Sequence, residues 1–277
     1  MKNSFIAAAF LLSLSSASPA QRAVTGVSPL VIGETFTIGS QTLGERRRIN
    51  VYVPAGYADS ASARFPVLHM TDGGVAKDFL HIAGLVQICV ADGTMHPFIL
   101  VGIENTERRR DLTGPTQVES LKRIAPRVGG SAAFRSFIRD ELKPRIREQY
   151  RTTAESAIIG ESLAGLFVVE TFLMEPDLFD TYIAVDPSLW WNDHSLVDDA
   201  SRLLQAASLK GKAIYLANGS DSGIDAQMKE LTSTLAQNAS RGLRWFYETM
   251  PEETQRTIFH PAALRAVRKV LGRVDRG

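Results

Sequence analysis

The chain has 277 residues, 44% hydrophobic and 22% charged, a balance that excludes intrinsic disorder and supplies ample apolar material for one large core. Thirty-one Lys and Arg against thirty Asp and Glu leave a formal net charge of +1, so no global field draws the protein to nucleic acid or to an anionic membrane. The single cysteine, Cys89, excludes a disulfide within this chain and a cysteine metal cluster; in the apolar LVQICV it reads as a small buried hydrophobe.

Residues 1–20, MKNSFIAAAFLLSLSSASPA, place Lys2 ahead of an apolar run from Phe5 to Leu14 and close on small residues. This is the pattern of a secretory signal peptide, cleaved after Ala20 or alternatively after Ala17. The run is shorter than the roughly 20 residues that span a bilayer, and no cysteine stands at the cleavage point to carry a lipid. The expectation is therefore a periplasmic or secreted protein without a stable membrane anchor, with residues 21–277 forming a single domain. Oligomeric state is not legible.

Residues 34–54, ETFTIGSQTLGERRRINVYVP, alternate apolar and polar side chains around a glycine-containing turn, which predicts an antiparallel hairpin. Short apolar or β-rich runs follow at 66–70, 98–103, 157–160, 182–185, 213–217 and 243–248, suited to strands buried on both faces. Helical patterns lie between them at about 76–91, 131–149, 163–174, 195–207, 224–239 and 261–272, with Pro144 expected to kink or divide the second. Strand alternating with helix predicts an α/β fold: a mostly parallel central sheet with helices on both faces and an N-terminal antiparallel hairpin. Two long segments, 104–130 and 186–194, read as irregular loops of the kind that carry function.

The stretch AIIGESLAGLF, residues 157–167, sets Ser162 on a tight turn between a buried strand and an apolar helix. Gly160 and the pair Ala164-Gly165 are small enough to let strand and helix approach, and the turn aims the Leu163 N–H at the place where an oxyanion would develop. The bland alternative is a serine capping an ordinary helix.

With PVLHMTDGG (66–74), FILVGIENTERRRDLTGPT (98–116), ELKPRIREQY (141–150), the run from Gly160 to Trp191 and the C-terminal HPAAL, the chain resembles the esterase branch of the α/β-hydrolases, which includes esterase D-like enzymes and siderophore trilactone hydrolases. The resemblance covers most of the chain. It implies the α/β-hydrolase fold, a small-molecule ester substrate, no cofactor and no metal. It maps Ser162 onto the nucleophile and the loop after the third strand onto the second oxyanion donor, Gly74 or alternatively Gly73. The acid follows a late strand, with Asp221 favoured over Asp225 and Asp186. Each of these aspartates has an equally ordinary use as a helix cap or dipole partner.

The resemblance also places the catalytic histidine early in the loop before the last helix, where strand-to-strand alignment puts Gln255. A glutamine amide takes up no proton at neutral pH, whereas imidazole does. His260, five residues on, is the rival base or else a group at the helix start. His69, His81, His96 and His194 show no ligand spacing. Arg109 and Arg110, in the triplet after the fourth strand, are candidate clamps for a carboxylate or acyl group, and Trp190 a candidate pocket wall; a solvated basic loop and a core cap are their plain alternatives. The expected function is an exported serine esterase working through an acyl-Ser162 intermediate and impaired at Gln255, the alternatives being a catalytically silent binding protein or an acyltransferase.

Overall fold

The computed structural model describes residues 26–124 and 127–272. The expected leader, residues 1–20, lies outside them. By internal contacts the chain divides into Met1–Ile32 and Gly33–Gly277. Of the first unit, residues 26–32 are described and carry neither helix nor strand.

The second unit is built on one eight-stranded sheet. β1 (Glu34–Ser40) and β2 (Glu45–Tyr52) form the hairpin expected from their alternation, turning at Gly44, whose φ of 65° an L side chain rarely adopts. β3 (Phe65–Met70), β4 (Ile99–Ile103), β5 (Thr152–Glu161), β6 (Thr181–Val185), β7 (Ala213–Gly219) and β8 (Arg244–Met250) complete the order β1-β2-β4-β3-β5-β6-β7-β8. β2 meets β4 antiparallel, and every pairing from β4 through β8 is parallel. β4, β6 and β7 are buried along their whole length, which accounts for their largely apolar sequences.

Helices α1 (Phe79–Ala91) and α10 (Phe259–Val270) close one apolar layer over the sheet. The other layer holds α4 (Ser131–Phe137), α5 (Lys143–Gln149), α6 (Leu163–Met174), α8 (Ala200–Ala206) and α9 (Asp225–Asn238). Between α4 and α5 the backbone widens into a π-helical turn, Ile138–Leu142. Pro144 explains it: the ring has no N–H to return to the residue four back and crowds that carbonyl, so the register loosens just ahead of it. α6 is buried from Leu163 to Leu173, in keeping with its mostly apolar sequence, and its buried Glu170 is paired with Arg135 at 2.6 Å.

Three expectations are corrected. The loop 104–130 holds two short helices, α2 (Arg108–Leu112) and α3 (Glu119–Ile124). The helix at 195–207 is broken into α7 (Ser195–Asp198) and α8 by the turn at Asp199. The last helix starts at Phe259, which puts Pro261 inside the first turn, where its missing N–H costs no hydrogen bond.

Candidate active site

Parallel strands deliver their C-terminal ends to one edge of the sheet, and the loops leaving β3, β5, β6, β7 and β8 gather there. Ser162 leaves β5 with φ 59° and ψ −120°, a conformation an L residue holds only under constraint. The constraint is visible. Ser162 N–H donates to Val185 O at 3.0 Å, and its carbonyl accepts from Leu166 N at 2.8 Å and Ser188 N at 3.1 Å. A Cβ on Gly160 would lie 2.5 Å from the Ala164 backbone, and one on Gly165 would lie 2.9 Å from Val185 O. The turn thus closes only with glycine at both places, and it leaves Ser162 partly exposed at the head of α6.

Gln255 meets that hydroxyl. Its Nε2 lies 3.1 Å from Ser162 Oγ, and its backbone N–H donates to Asp221 Oδ1 at 2.7 Å. Asp221 therefore orients the loop that presents Gln255. Asp225 instead begins α9 and accepts from Asn218 Nδ2 at 2.8 Å. Asp186, buried and left-handed at φ 46°, accepts from Gly219 N–H at 3.2 Å, and burial raises its carboxyl above the usual range.

His260 lies elsewhere. Its Nδ1 is 2.8 Å from Nε2 of His81 on α1, and the two rings stack with centroids 4.9 Å apart. The expectation of His260 as a base facing Ser162 is corrected accordingly: the first turn of α10 carries its ring to α1. His194, at the start of α7, has Nδ1 3.3 Å from Leu189 O.

At the end of β3, Asp72 (φ 59°) takes Arg108 Nε and Nη2 at 2.8 and 2.6 Å and also bonds the Asn105 amide. This fork anchors the glycine turn that follows. Gly73 is committed on both sides, its N–H to Ile103 O at 2.9 Å and its carbonyl to Asn50 Nδ2 at 2.8 Å. A Cβ there would sit 2.3 Å from Gly102 Cα. Among the described residues the Gly74 N–H has no such backbone partner, and neither has the Leu163 N–H, so these are the two donors an oxyanion could use.

The basic triplet divides its duties differently from the expectation. Arg108 braces Asp72, as above. Arg110 is spent on Glu45 (2.8 Å) and on Asp111 (2.7 Å), so it makes no clamp; Asp111 in turn holds the buried Arg47 at 2.5 Å. Arg109 is exposed and makes no side-chain bond among the described residues. Trp191 is buried and donates Nε1–H to Gly114 O at 3.0 Å, whereas Trp190 is 41% exposed and free to wall a ligand.

Two neighbours of Ser162 escape a sequence reading. Ser188 is buried, with Oγ 3.4 Å from Ser162 Oγ; its one signal is a position just past the end of β6. The other is Glu161, between Gly160 and Ser162: burial outweighs the attraction of Arg108 and lifts its carboxyl to about 7, with Asp78 and Asp186 adding to the rise.

With this geometry in place, the comparisons with known proteins decide the family. The family model described as "Putative esterase" matches residues 40–256. The chain belongs to this esterase family. Its members are carboxylic ester hydrolases of α/β-hydrolase fold. The chain is 28% identical to the ferri-bacillibactin esterase BesA of Bacillus subtilis over 248 residues, covering 82% of this chain and 86% of that protein. It is 29% identical over 196 residues to the siderophore triacetylfusarinine C esterase of Aspergillus fumigatus, covering 64% and 63%. Among solved structures, an IroE-like serine hydrolase from Shewanella oneidensis superposes with a TM-score of 0.78 at 27% identity, over 86% of this chain and 80% of that one. No helix among the described residues is long and apolar enough to cross a membrane.

Proposed function

We propose that the protein is an exported serine esterase that cleaves small-molecule carboxylic esters through an acyl-Ser162 intermediate, slowly, because Gln255 stands where the family's base would stand. The observation that carries this reading is the Gln255 amide 3.1 Å from Ser162 Oγ on a turn flanked by two free backbone donors. In the forward step Ser162 Oγ bonds the ester carbon, the carbonyl electrons move onto oxygen and meet the Leu163 and Gly74 N–H groups, and the alcohol departs with a proton; water then releases the acid. What is lacking is an acceptor for the serine proton. In either amide orientation Gln255 cannot take it, so the proton passes to water and the rate falls toward the roughly 10³ to 10⁴ over solution that an oxyanion hole and binding retain. Export rests on residues 1–20, and a siderophore lactone is the first ester to try because the curated relatives named above are siderophore esterases.

The test is hydrolysis of p-nitrophenyl acetate and of a catecholate trilactone by the purified protein beside Ser162→Ala. The expected result is slow turnover that the substitution abolishes; equal rates for both proteins overturn the reading. A second reading, a binding protein that holds an intact ester without cleaving it, draws on the same contact, because an amide N–H donated to Oγ makes the oxygen a poorer nucleophile. Trilactone bound tightly and recovered uncleaved would favour it.

A further inference from the structure

At the far end of α6 from Ser162, about 18 Å away along a twelve-residue helix, lies a cavity of about 580 Å³, a volume within the range of small-molecule sites. One wall is cationic. Arg139, Lys143 and Arg147 recur every fourth residue and so line one face of the π turn and α5. The facing wall is apolar, from Leu173 and Met174 at the end of α6 to Leu203 on α8, and Met174 is 48% exposed.

Only one of the three cations is ion-paired. Arg139 pairs with Glu175 and Asp140. Lys143 donates to Leu178 O and, at 3.1 Å, to Ser156 Oγ, and lies over the Phe179 ring 4.6 Å from its centroid, all neutral groups, and Arg147 makes no ion pair or hydrogen bond among the described residues. Burial first, and then the charge of Arg147, pull the Lys143 ammonium down to about 8; Asp180 opposes them, and Lys212 adds a smaller downward push. Of the lining acids, Glu175 is shared by Arg135 and Arg139, and Asp177 is 84% exposed and turned to Lys212 at 3.6 Å. Lys143 and Arg147 are thus the two lining cations without an ion pair, and they stand against an apolar wall.

We propose that this cavity binds an amphipathic monocarboxylate, with the carboxylate between Lys143 and Arg147 and the apolar body along Leu173, Met174 and Leu203. A carboxylate can lie between the two unpaired cations, its planar oxygens suit the guanidinium fork, and an apolar body covers surface that inorganic anions would leave wet. Acids of this class are what carboxylic ester cleavage releases, but the site is remote from Ser162 and does not depend on that serine.

The test uses the full chain with sodium decanoate below its micelle concentration, 1-decanol and inorganic phosphate as controls, and two readouts: calorimetric binding, and the rate of Lys143 reductive methylation at pH 8 followed by mass spectrometry. A bound carboxylate favours the charged ammonium, so decanoate should slow methylation of Lys143 while decanol and phosphate do not. Arg147→Glu, at an exposed position, should weaken decanoate about tenfold or more. Ala206→Trp, which fills the cavity without touching a charge, should do the same. Equal decanoate binding by both variants and the parent, or unchanged Lys143 labelling with decanoate bound, overturns the proposal.

Discussion

The nucleophile turn and the loop between β8 and α10 meet at one hydrogen bond, yet they are made in opposite ways. The turn is wedged: Gly160, Ala164 and Gly165 are in backbone contact with their neighbours, and Ser162 is strained into place by three backbone bonds. The loop is exposed from Thr254 to Thr257, where the holding contacts are hydrogen bonds such as Gln255 N–H to Asp221 and Thr254 N–H to Thr257 Oγ1. A change in the first disturbs the fold, whereas a change in the second alters chemistry and costs the core nothing. Under the proposed reading of Gln255, that difference would let a scaffold keep a hydrolase's geometry while the position that moves protons carries a glutamine.

The contrast can be broken most violently at Gly160. Gly160→Val should cost about 3 kcal/mol or more, because its Cβ meets backbone that cannot yield, and urea unfolding reads the loss. Gln255→His is the opposite case: ester turnover should rise about 100-fold or more while the urea midpoint stays within about 0.5 kcal/mol of the parent. A histidine variant no faster than the parent would show that the loop does not supply the missing base. In that background Asp221→Ala should lower kcat about tenfold and leave KM little changed, since it frees the backbone that aims residue 255. His260→Ala, with its ring on His81, should leave turnover unaltered in parent and variant alike.

The smallest effects are in pH dependence. Burial, and then His260, hold His81 below its ordinary value, so the unfolded chain binds more protons there. That contribution is complete above about 6.5 and is lost as pH falls from there through the lowered folded value; a thermal-melt series with His81→Asn should lack it. Glu161 runs the other way. Its carboxyl, raised to about 7, binds its proton more tightly folded than unfolded, so its contribution is complete below about 4.5 and fades as pH rises through 7. Glu161→Gln should flatten that decline, and an unchanged slope would assign it to other groups.

Much of this molecule could be read from its pattern. The hairpin followed from period-two alternation, the parallel sheet from short apolar runs between helices, and α6 from a predominantly apolar stretch, all local consequences of what each segment must bury. The turn at Ser162 was legible because close backbone approach tolerates only small residues. The break ahead of Pro144 was legible from the ring itself, whereas the helices inside 104–130 were less so, since they depend on ion pairs between distant residues.

Partnership was the part that sequence left open. Three arginines in a row are equivalent on paper, and only the folded chain sends Arg108 to Asp72, Arg110 to Glu45 and Arg109 to solvent. Two C-terminal candidates stood five residues apart, and helix geometry turned one to His81 and left the other on Ser162. Burial patterns are written along the chain because water acts on every residue alone; which polar groups meet depends on loops brought together from far apart, and that is decided only when the sheet sets their positions.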